Sequence, residues 1–156
     1  MVRLGLTVAL VLLGLDQLTK WVVLALLDLP ARPIAVTPFF NLVMVWNRGV
    51  SFGMLDALGA AAPWLLSGLA LAVVVGLLFW LRQSEHAMMA IGLGLVIGGA
   101  LGNVIDRMRY GAVVDFLDFH LAGWHWPAFN LADAGICVGA GLIVVDGLLA
   151  PRRQYT

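Results

Sequence analysis

Four apolar stretches, each long enough to cross a lipid bilayer, constrain the fold of this chain more than any other feature. They lie at roughly residues 4–27, 62–81, 87–106 and 131–150. A membrane-spanning helix needs about 20 mostly apolar residues. Hydrophobic residues make up 62% of the 156-residue chain, and the mean hydropathy is +0.99. The sequence therefore predicts an all-α membrane protein with four transmembrane helices in a single integral-membrane domain, residues 1–156.

The first apolar stretch has some features of a secretory signal sequence, because Arg3 precedes the run LGLTVALVLLGL. No small-x-small cleavage site follows this run, and the apolar pattern resumes after DQLTK in WVVLALL. We therefore expect a retained first helix, so that all four helices stay in the protein.

Four spans place both termini on one side of the membrane and two connections, residues 28–61 and 107–130, on the other. The side with the termini carries four arginines within 14 residues, whereas the two connections carry four within 58. Basic residues concentrate on the cytoplasmic side of membrane proteins. This density predicts that both termini are cytoplasmic and that both connections are extracytoplasmic.

The first connection favours short strands over a helix. Pro30, Pro33 and Pro38 interrupt any helix there, and the β-favouring run FFNLVMVW leads into the turn of NRGVSFG. We expect residues 28–61 and 107–130 to form a small β-rich cap on the outer face of the helices.

Small residues at four-residue spacing predict close packing between the helices. Gly94, Gly98 and Gly102 repeat in the third span, Gly68, Ala72 and Gly76 in the second, and Gly135 and Gly139 in the fourth. In lipid, glycines allow helix backbones to approach, and this contact replaces the hydrophobic force that acts in water. The alternative is that glycine is simply frequent in this chain, which has 18.

Aspartates stand where the apolar stretches begin and end. Burying an ionisable group in a membrane costs about 2.5–3.5 kcal/mol on insertion scales, so each one is a candidate functional residue. Asp16 and Lys20 form an i, i+4 pair that suits a structural ion pair at least as well as catalysis. Asp106 continues the glycine face of the third helix, beside Asn103 and Arg107. Structural support and substrate holding are equally open for that group.

Asp133 and Asp115 occupy opposed environments. Asn130 is a good N-cap, and Asp133 is the third residue of the helix it opens, where backbone N–H groups and the helix dipole favour an ionised carboxylate. Asp115 lies among apolar residues in VVDFLDFH, a setting that favours the protonated form. Both lie at the outer face, so the two carboxyl groups can share one proton, as in an aspartic hydrolase.

Asp118 competes with Asp115 for this role. If the segment is extended, Val113, Asp115 and Leu117 share one face, and Asp118 points with His120 toward the aqueous interface. An extended segment therefore favours Asp115, whereas in a helix both acids could matter.

Three functions fit the spacing of the acids alone: an aspartyl hydrolase, a small proton-coupled transporter, and a non-catalytic assembly protein. HExxH, GxSxG and clustered Cys/His patterns are missing, and the single Cys137 cannot form an internal disulfide. Nine basic and nine acidic residues give a formal charge of zero, which does not suggest nucleic-acid binding. We expect no metal, no cofactor and no nucleic-acid partner.

Five blocks along the chain resemble the lipoprotein signal peptidases, bacterial signal peptidase II: DQLTK, NRGVSFG, GGALGNVIDR, VVDFLDF and FNLADA. The resemblance implies an aspartic endopeptidase of the bacterial plasma (inner) membrane. Such an enzyme, surrounded by membrane lipids, cuts prolipoproteins just before the diacylglyceryl-modified cysteine. The resemblance implies Asp115 and Asp133 as the catalytic pair, and the loop around NRGVSFG is expected to close over the substrate. The supporting or substrate-binding residues that it implies are Asp16, Asn47, Asn103, Asp106, Arg107 and Asn130.

Overall fold

Four long helices account for most of the chain. The computed structural model describes residues 1–26, 33–49, 59 and 61–149. The helices are α1 (Val2–Leu26), α2 (Ala62–Gln83), α3 (Ala87–Tyr110) and α4 (Leu131–Leu149). Each is long and apolar enough to cross a membrane, which confirms the four predicted spans.

Helix α3 is longer than the sequence predicts. The predicted span ends at residue 106, but the helix continues to Tyr110 and ends at Gly111. Gly111 has a φ of +70°, and its N–H donates to the carbonyl oxygen of Arg107 at 3.0 Å. Glycine adopts this left-handed conformation without strain, so it ends the helix. Asp106 and Arg107 therefore lie within the last turns of α3, and the expectation that the outer connection begins at residue 107 is wrong.

Helix α3 packs against each of the other three helices. Gly98 faces α1 at Ala9, and Gly99 faces α4 at Ala132. A Cβ atom at either glycine would collide with the backbone carbonyl oxygen of the facing residue. The helices can approach this closely only because these positions lack a side chain, which confirms the predicted role of glycine at Gly98. The same prediction is wrong for Gly68 and Gly76 of α2, where a Cβ atom would face open space.

Two connections between the helices form a four-stranded antiparallel sheet. Its strands are β1 (Ile34–Thr37), β2 (Phe40–Asn47), β3 (Val113–Leu121) and β4 (Trp124–His125), in the spatial order β1-β2-β3-β4. This confirms the β-rich element, while its location outside the cell stays a prediction. The expected lid around NRGVSFG is described only as far as residue 49, and its remainder lies outside the described residues.

Strand β3 connects the sheet to the helices. Val114 and Phe116 pack with Val23 of α1 in a buried apolar cluster. The register between β2 and β3 shifts between Leu42 and Val45, opposite the middle of β3. Because β3 packs against the helices, its side chains can reach polar groups of α3 and α4.

Candidate active site

A reciprocal pair of hydrogen bonds opens helix α4. The N–H of Asp133 donates to Oδ1 of Asn130 at 3.0 Å, and the N–H of Asn130 donates to Oδ2 of Asp133 at 3.3 Å. Such a capping arrangement satisfies two N–H groups that the helix cannot pair internally. It confirms the predicted N-cap and holds Asp133 at the end of the helix where the dipole favours a negative charge.

Asp115 comes from the extended strand β3 and is only 1% exposed. Its Oδ1 accepts a hydrogen bond from Nδ2 of Asn130 at 2.7 Å, and its Oδ2 accepts one from Nδ2 of Asn47 at 2.9 Å. Asn47 ends strand β2, so the sheet itself brings this amide to the carboxylate. VVDFLDFH is therefore extended, which of the two conformations considered is the one that favours Asp115 over Asp118.

Two asparagine amides connect the two acids. Nδ2 of Asn130, which binds Asp115, also lies 3.2 Å from Oδ1 of Asn103. Nδ2 of Asn103 in turn donates to Oδ1 of Asp133 at 2.8 Å. The structure therefore places Asp115 and Asp133 in one hydrogen-bonded group, as the sequence predicts.

The surroundings of Asp115 favour its protonated form. Burial, the largest effect, and the negative charge of Asp133 raise the pKa of this carboxyl to a net value of about 6, against the hydrogen bond from Asn47, which lowers it. The hydrogen bond from Asn130 lowers the pKa but does not cancel these effects. A carboxyl group that titrates near pH 6, beside a carboxyl group held by a helix cap, can act with it as an acid–base pair.

A buried ionic cluster lies next to this group, and we define it as Asp16, Lys20 and Asp106. Nζ of Lys20 is 2.9 Å from Oδ2 of Asp16 and 2.8 Å from Oδ2 of Asp106. The same ammonium lies 3.3 Å from Oδ1 of Asn103. Lys20 therefore fixes the amide of Asn103 with its oxygen toward the ammonium and its nitrogen toward Asp133.

Backbone hydrogen bonds tie the ionic cluster to the elements that carry the two acids. Oδ1 of Asp16 accepts the N–H of Ala132 in α4 at 2.9 Å, and Oδ2 of Asp106 accepts the N–H of Val114 in β3 at 3.1 Å. A Cβ at Gly102 would lie 2.5 Å from Oδ2 of Asp16, so glycine is required there. Buried ion pairs are stable only when such additional hydrogen bonds satisfy their remaining polar atoms.

Sequence reasoning missed the full part played by Lys20 and Gln17. Lys20 was expected only as a partner of Asp16, but it also binds Asp106. Nε2 of Gln17 lies 3.2 Å from Oδ2 of Asp16 and 3.1 Å from Oδ1 of Asp106. The signal was present in DQLTK, where four polar side chains interrupt an otherwise apolar helix.

Arg107 is the exception among the eight predicted site residues. Its Nε is buried and has no hydrogen-bond partner within the described part of the chain. Its positive charge nevertheless acts on Asp133, Asp106 and Asp115. The other seven, joined by hydrogen bonds and by ion pairs through Lys20, are Asp16, Asn47, Asn103, Asp106, Asp115, Asn130 and Asp133.

Asp118 lies apart from this group, but not where the sequence predicted. We expected it to face the aqueous interface, whereas it is only 6% exposed. It accepts hydrogen bonds from Nδ2 of Asn41 and from Nδ1 of His125, both at 2.9 Å. Burial raises the pKa of Asp118, but these two hydrogen bonds outweigh burial and the pKa lies below its ordinary value. The cross-strand partners keep this carboxylate ionised and away from Asp133.

Comparison with known proteins places the chain among peptidases. The sequence model of the family described as signal peptidase (SPase) II matches residues 8–149. The chain belongs to the signal peptidase II family. A lipoprotein signal peptidase of Ralstonia nicotianae is 51% identical over 152 residues, which cover 96% of this chain and 86% of that protein. One of Methylobacterium sp. (strain 4-46) is 48% identical over 151 residues, covering 96% and 92%.

Two solved structures of bacterial membrane enzymes share the fold of this signal peptidase II family member. One has a TM-score of 0.83 with 26% identity and covers 97% of this chain and 96% of its own. The other has a TM-score of 0.81 with 24% identity and covers 100% and 96%. The family resemblance seen in the sequence is confirmed. Since the family consists of peptidases, the transporter and assembly-protein alternatives lose their support.

Proposed function

We propose that this signal peptidase II is an aspartic endopeptidase that removes the signal peptide from prolipoproteins, cutting just before the diacylglyceryl-modified cysteine. The names of its relatives support the substrate class. The observation that carries the mechanism is the pair of buried Asp115 and half-buried Asp133, joined through two amides and held in opposed environments. We call these two residues the proposed dyad.

The proposed dyad begins the reaction with one shared proton. Asp133, ionised at the helix N-terminus, takes a proton from a water molecule as the water oxygen attacks the scissile carbonyl carbon. Asp115, protonated, gives its proton to the carbonyl oxygen, and a gem-diol forms. As the C–N bond breaks, Asp133 gives its proton to the leaving nitrogen and a gem-diol hydroxyl returns a proton to Asp115. Each carboxyl group is thereby restored to its starting state.

Three amides hold the carboxyl groups for these transfers. Asn47 and Asn130 each donate to one oxygen of Asp115, so the orientation of this carboxyl is set on both sides. Asn103 does the same for Asp133, and Lys20 holds the oxygen of Asn103. A fixed geometry of this kind lowers the cost of orienting acid and base during the reaction.

The position of the proposed dyad suits a substrate that is itself anchored in a membrane. Asp133 is in the first turn of the spanning helix α4, and Asp115 is in the sheet that adjoins the helix ends. The bond before a lipid-modified cysteine lies at the membrane interface, where such a site can reach it. We propose that this end is extracytoplasmic and that both termini are cytoplasmic, in the bacterial plasma membrane. The density of arginines on the side of the termini supports this orientation.

Cleavage of a lipid-modified precursor by the purified protein tests the proposed dyad. Asp115→Asn and Asp133→Asn should each lower turnover by about 10²–10⁴-fold or more, because an amide keeps the volume but cannot transfer the proton. Asp118→Asn is the matched control, since it also removes a buried carboxylate from β3 but lies outside the hydrogen-bonded group. It should keep substantial activity at equal folded concentration.

Two results would overturn the proposal in different ways. An inactive Asp118→Asn beside an active Asp115→Asn would show that the wrong member of DFLD was chosen. Proton-driven uptake of a solute into liposomes by the wild type, with no cleavage of any precursor, would favour the transporter.

A further inference from the structure

A polar cavity lies at the end of the helices opposite the proposed dyad. Its volume is about 260 Å³, and it forms where α2 ends, α3 begins and α4 ends. Asp146 in this cavity follows Asp133 by 13 residues, which at a helical rise of about 1.5 Å places it about 20 Å away along α4. We call this the terminal cavity. Its lining residues are Trp80, Gln83, Ser84, Glu85, His86, Met89, Asp146 and Gly147.

Asp146 is a buried carboxylate that the peptidase mechanism does not use. It is 6% exposed and lies in the last turn of α4, where the helix dipole disfavours a negative charge. The last turn contains no basic residue. Within the described ranges, neither lysine nor arginine pairs with Asp146, and its one hydrogen-bond partner is Nδ1 of His86 at 3.3 Å.

His86 is the one side chain that pairs with Asp146 in the described part of the chain. A histidine carries a positive charge only when it is protonated, and the side chain of His86 is 55% exposed. A carboxylate at membrane depth is costly unless a cation or several donors accompany it. Among the described residues, Asp146 therefore has His86 as its one donor, and the terminal cavity beside it has room for a further donor.

We propose that the terminal cavity binds the ammonium group of a phospholipid headgroup of the phosphoethanolamine type. The ammonium donates hydrogen bonds to Asp146, and Glu85 adds a second negative charge to the lining. Trp80 lies in the last turns of α2, a position where tryptophan meets lipid headgroups and where its ring attracts a cation. Gln83 supplies side-chain N–H donors for the phosphate oxygens.

The chemistry of the lining separates this ligand from the alternatives. A quaternary ammonium has no N–H to donate to Asp146, and an anionic headgroup would bring a negative charge against both Asp146 and Glu85. Among the residues that the structure describes, there is no group of three or more His, Cys, Asp or Glu side chains that could hold a metal ion. The terminal cavity should therefore prefer primary over quaternary ammonium lipids, and both over anionic ones. The proposal does not depend on the peptidase mechanism.

Lipid retention by the purified full-length protein tests this assignment. The protein is exchanged into nanodiscs that contain equal amounts of phosphatidylethanolamine, phosphatidylcholine and phosphatidylglycerol, and the bound lipids are identified by native mass spectrometry. We expect phosphatidylethanolamine to be retained over phosphatidylglycerol by about tenfold or more, the effect of a charge-assisted hydrogen bond. Asp146→Asn should abolish this preference, and Asp146→Glu should keep it. Asp118→Asn, which removes a carboxylate far from the terminal cavity, should retain lipid as the wild type does.

Three outcomes would overturn the proposal. Equal retention of the three lipids, or an unchanged preference in a folded Asp146→Asn variant, would show that Asp146 does not select a headgroup. Displacement of the lipid by free phosphoethanolamine at equal concentration would assign the terminal cavity to a soluble amine. A preference that appears only after residues 151–156 are removed would mean that the chain's own terminus fills the cavity.

Discussion

The hydrogen bond from Asn47 to Asp115 offers a test of how the proposed dyad is tuned. Nδ2 of Asn47 donates to Oδ2 of Asp115 at 2.9 Å, and this hydrogen bond stabilises the ionised carboxylate more than the protonated form. Asn47→Ala removes the donor, so the ionised form of Asp115 loses stabilisation and its pKa rises. The shared proton then stays on the dyad to higher pH. We therefore expect the alkaline limb of the pH–activity profile to move upward.

The size of the shift follows from the energy of one hydrogen bond to a charged group. Such bonds contribute about 1.5–3 kcal/mol, and one pKa unit corresponds to about 1.4 kcal/mol. Asn47 is partly exposed, so water can replace part of the lost bond, and the lower end applies. The pKa of Asp115, about 6 in the wild type, should rise by about one unit. Because the two coupled acids titrate together, the alkaline limb reports a pKa of the pair and not of Asp115 alone.

The assay is kcat/KM for a lipid-modified precursor measured across pH 4–9 with the wild type and two variants. Asn41→Ala is the control, because Asn41 donates the equivalent cross-strand hydrogen bond to Asp118, also at 2.9 Å. Its profile should match the wild type within experimental error. An alkaline limb that does not move in Asn47→Ala, or that moves equally in both variants, would refute the assignment of Asp115 as the proton-holding acid.

Three other perturbations test the ionic cluster, the helix packing and the orientation. Lys20→Met leaves two buried carboxylates without their cation and should lower the free energy of unfolding by about 3–5 kcal/mol in a denaturant titration, and an unchanged midpoint would contradict this. Gly99→Leu should lower the melting temperature far more than Gly76→Leu, since Gly76 faces open space; equal effects would argue against close packing of α3 on α4. In a background without the native cysteine, an impermeant thiol reagent should label Arg48→Cys but not Arg82→Cys from outside intact cells, and the reverse would invert the topology.

The parts of the fold that the sequence predicts are those set by local composition. Apolar length defines a membrane span without reference to the rest of the chain, so the four helices could be located to within a few residues. The cap at Asn130 and Asp133 is also local, because its donors and acceptors lie three residues apart. The sequence does not predict the extra turn of α3, because the polar residues near Arg107 indicate a helix end there. The helix in fact ends at Gly111.

The parts that the sequence does not predict depend on contacts between distant segments. The sequence predicts that Asp118 faces the aqueous interface, because its neighbours in the chain do not indicate a contact with Asn41, which is 77 residues away. Likewise, Lys20 reaches Asp106 and Asn103 across 80 or more residues, and only the packing of α1 on α3 brings them together. The candidate acids, Asn130 and Asn103 were identifiable from their local environments, whereas Asn47 was identified only through the family resemblance.

The hydrogen bond from the backbone of Ala132 to Asp16 joins the first helix to the start of the fourth. During synthesis, α1 leaves the ribosome early, whereas α4 is made only after the other three helices. Asp115 on β3 therefore lacks its proposed partner Asp133 until α4 has been inserted and docked against α1. The proposed dyad is therefore complete only when the helix bundle is complete.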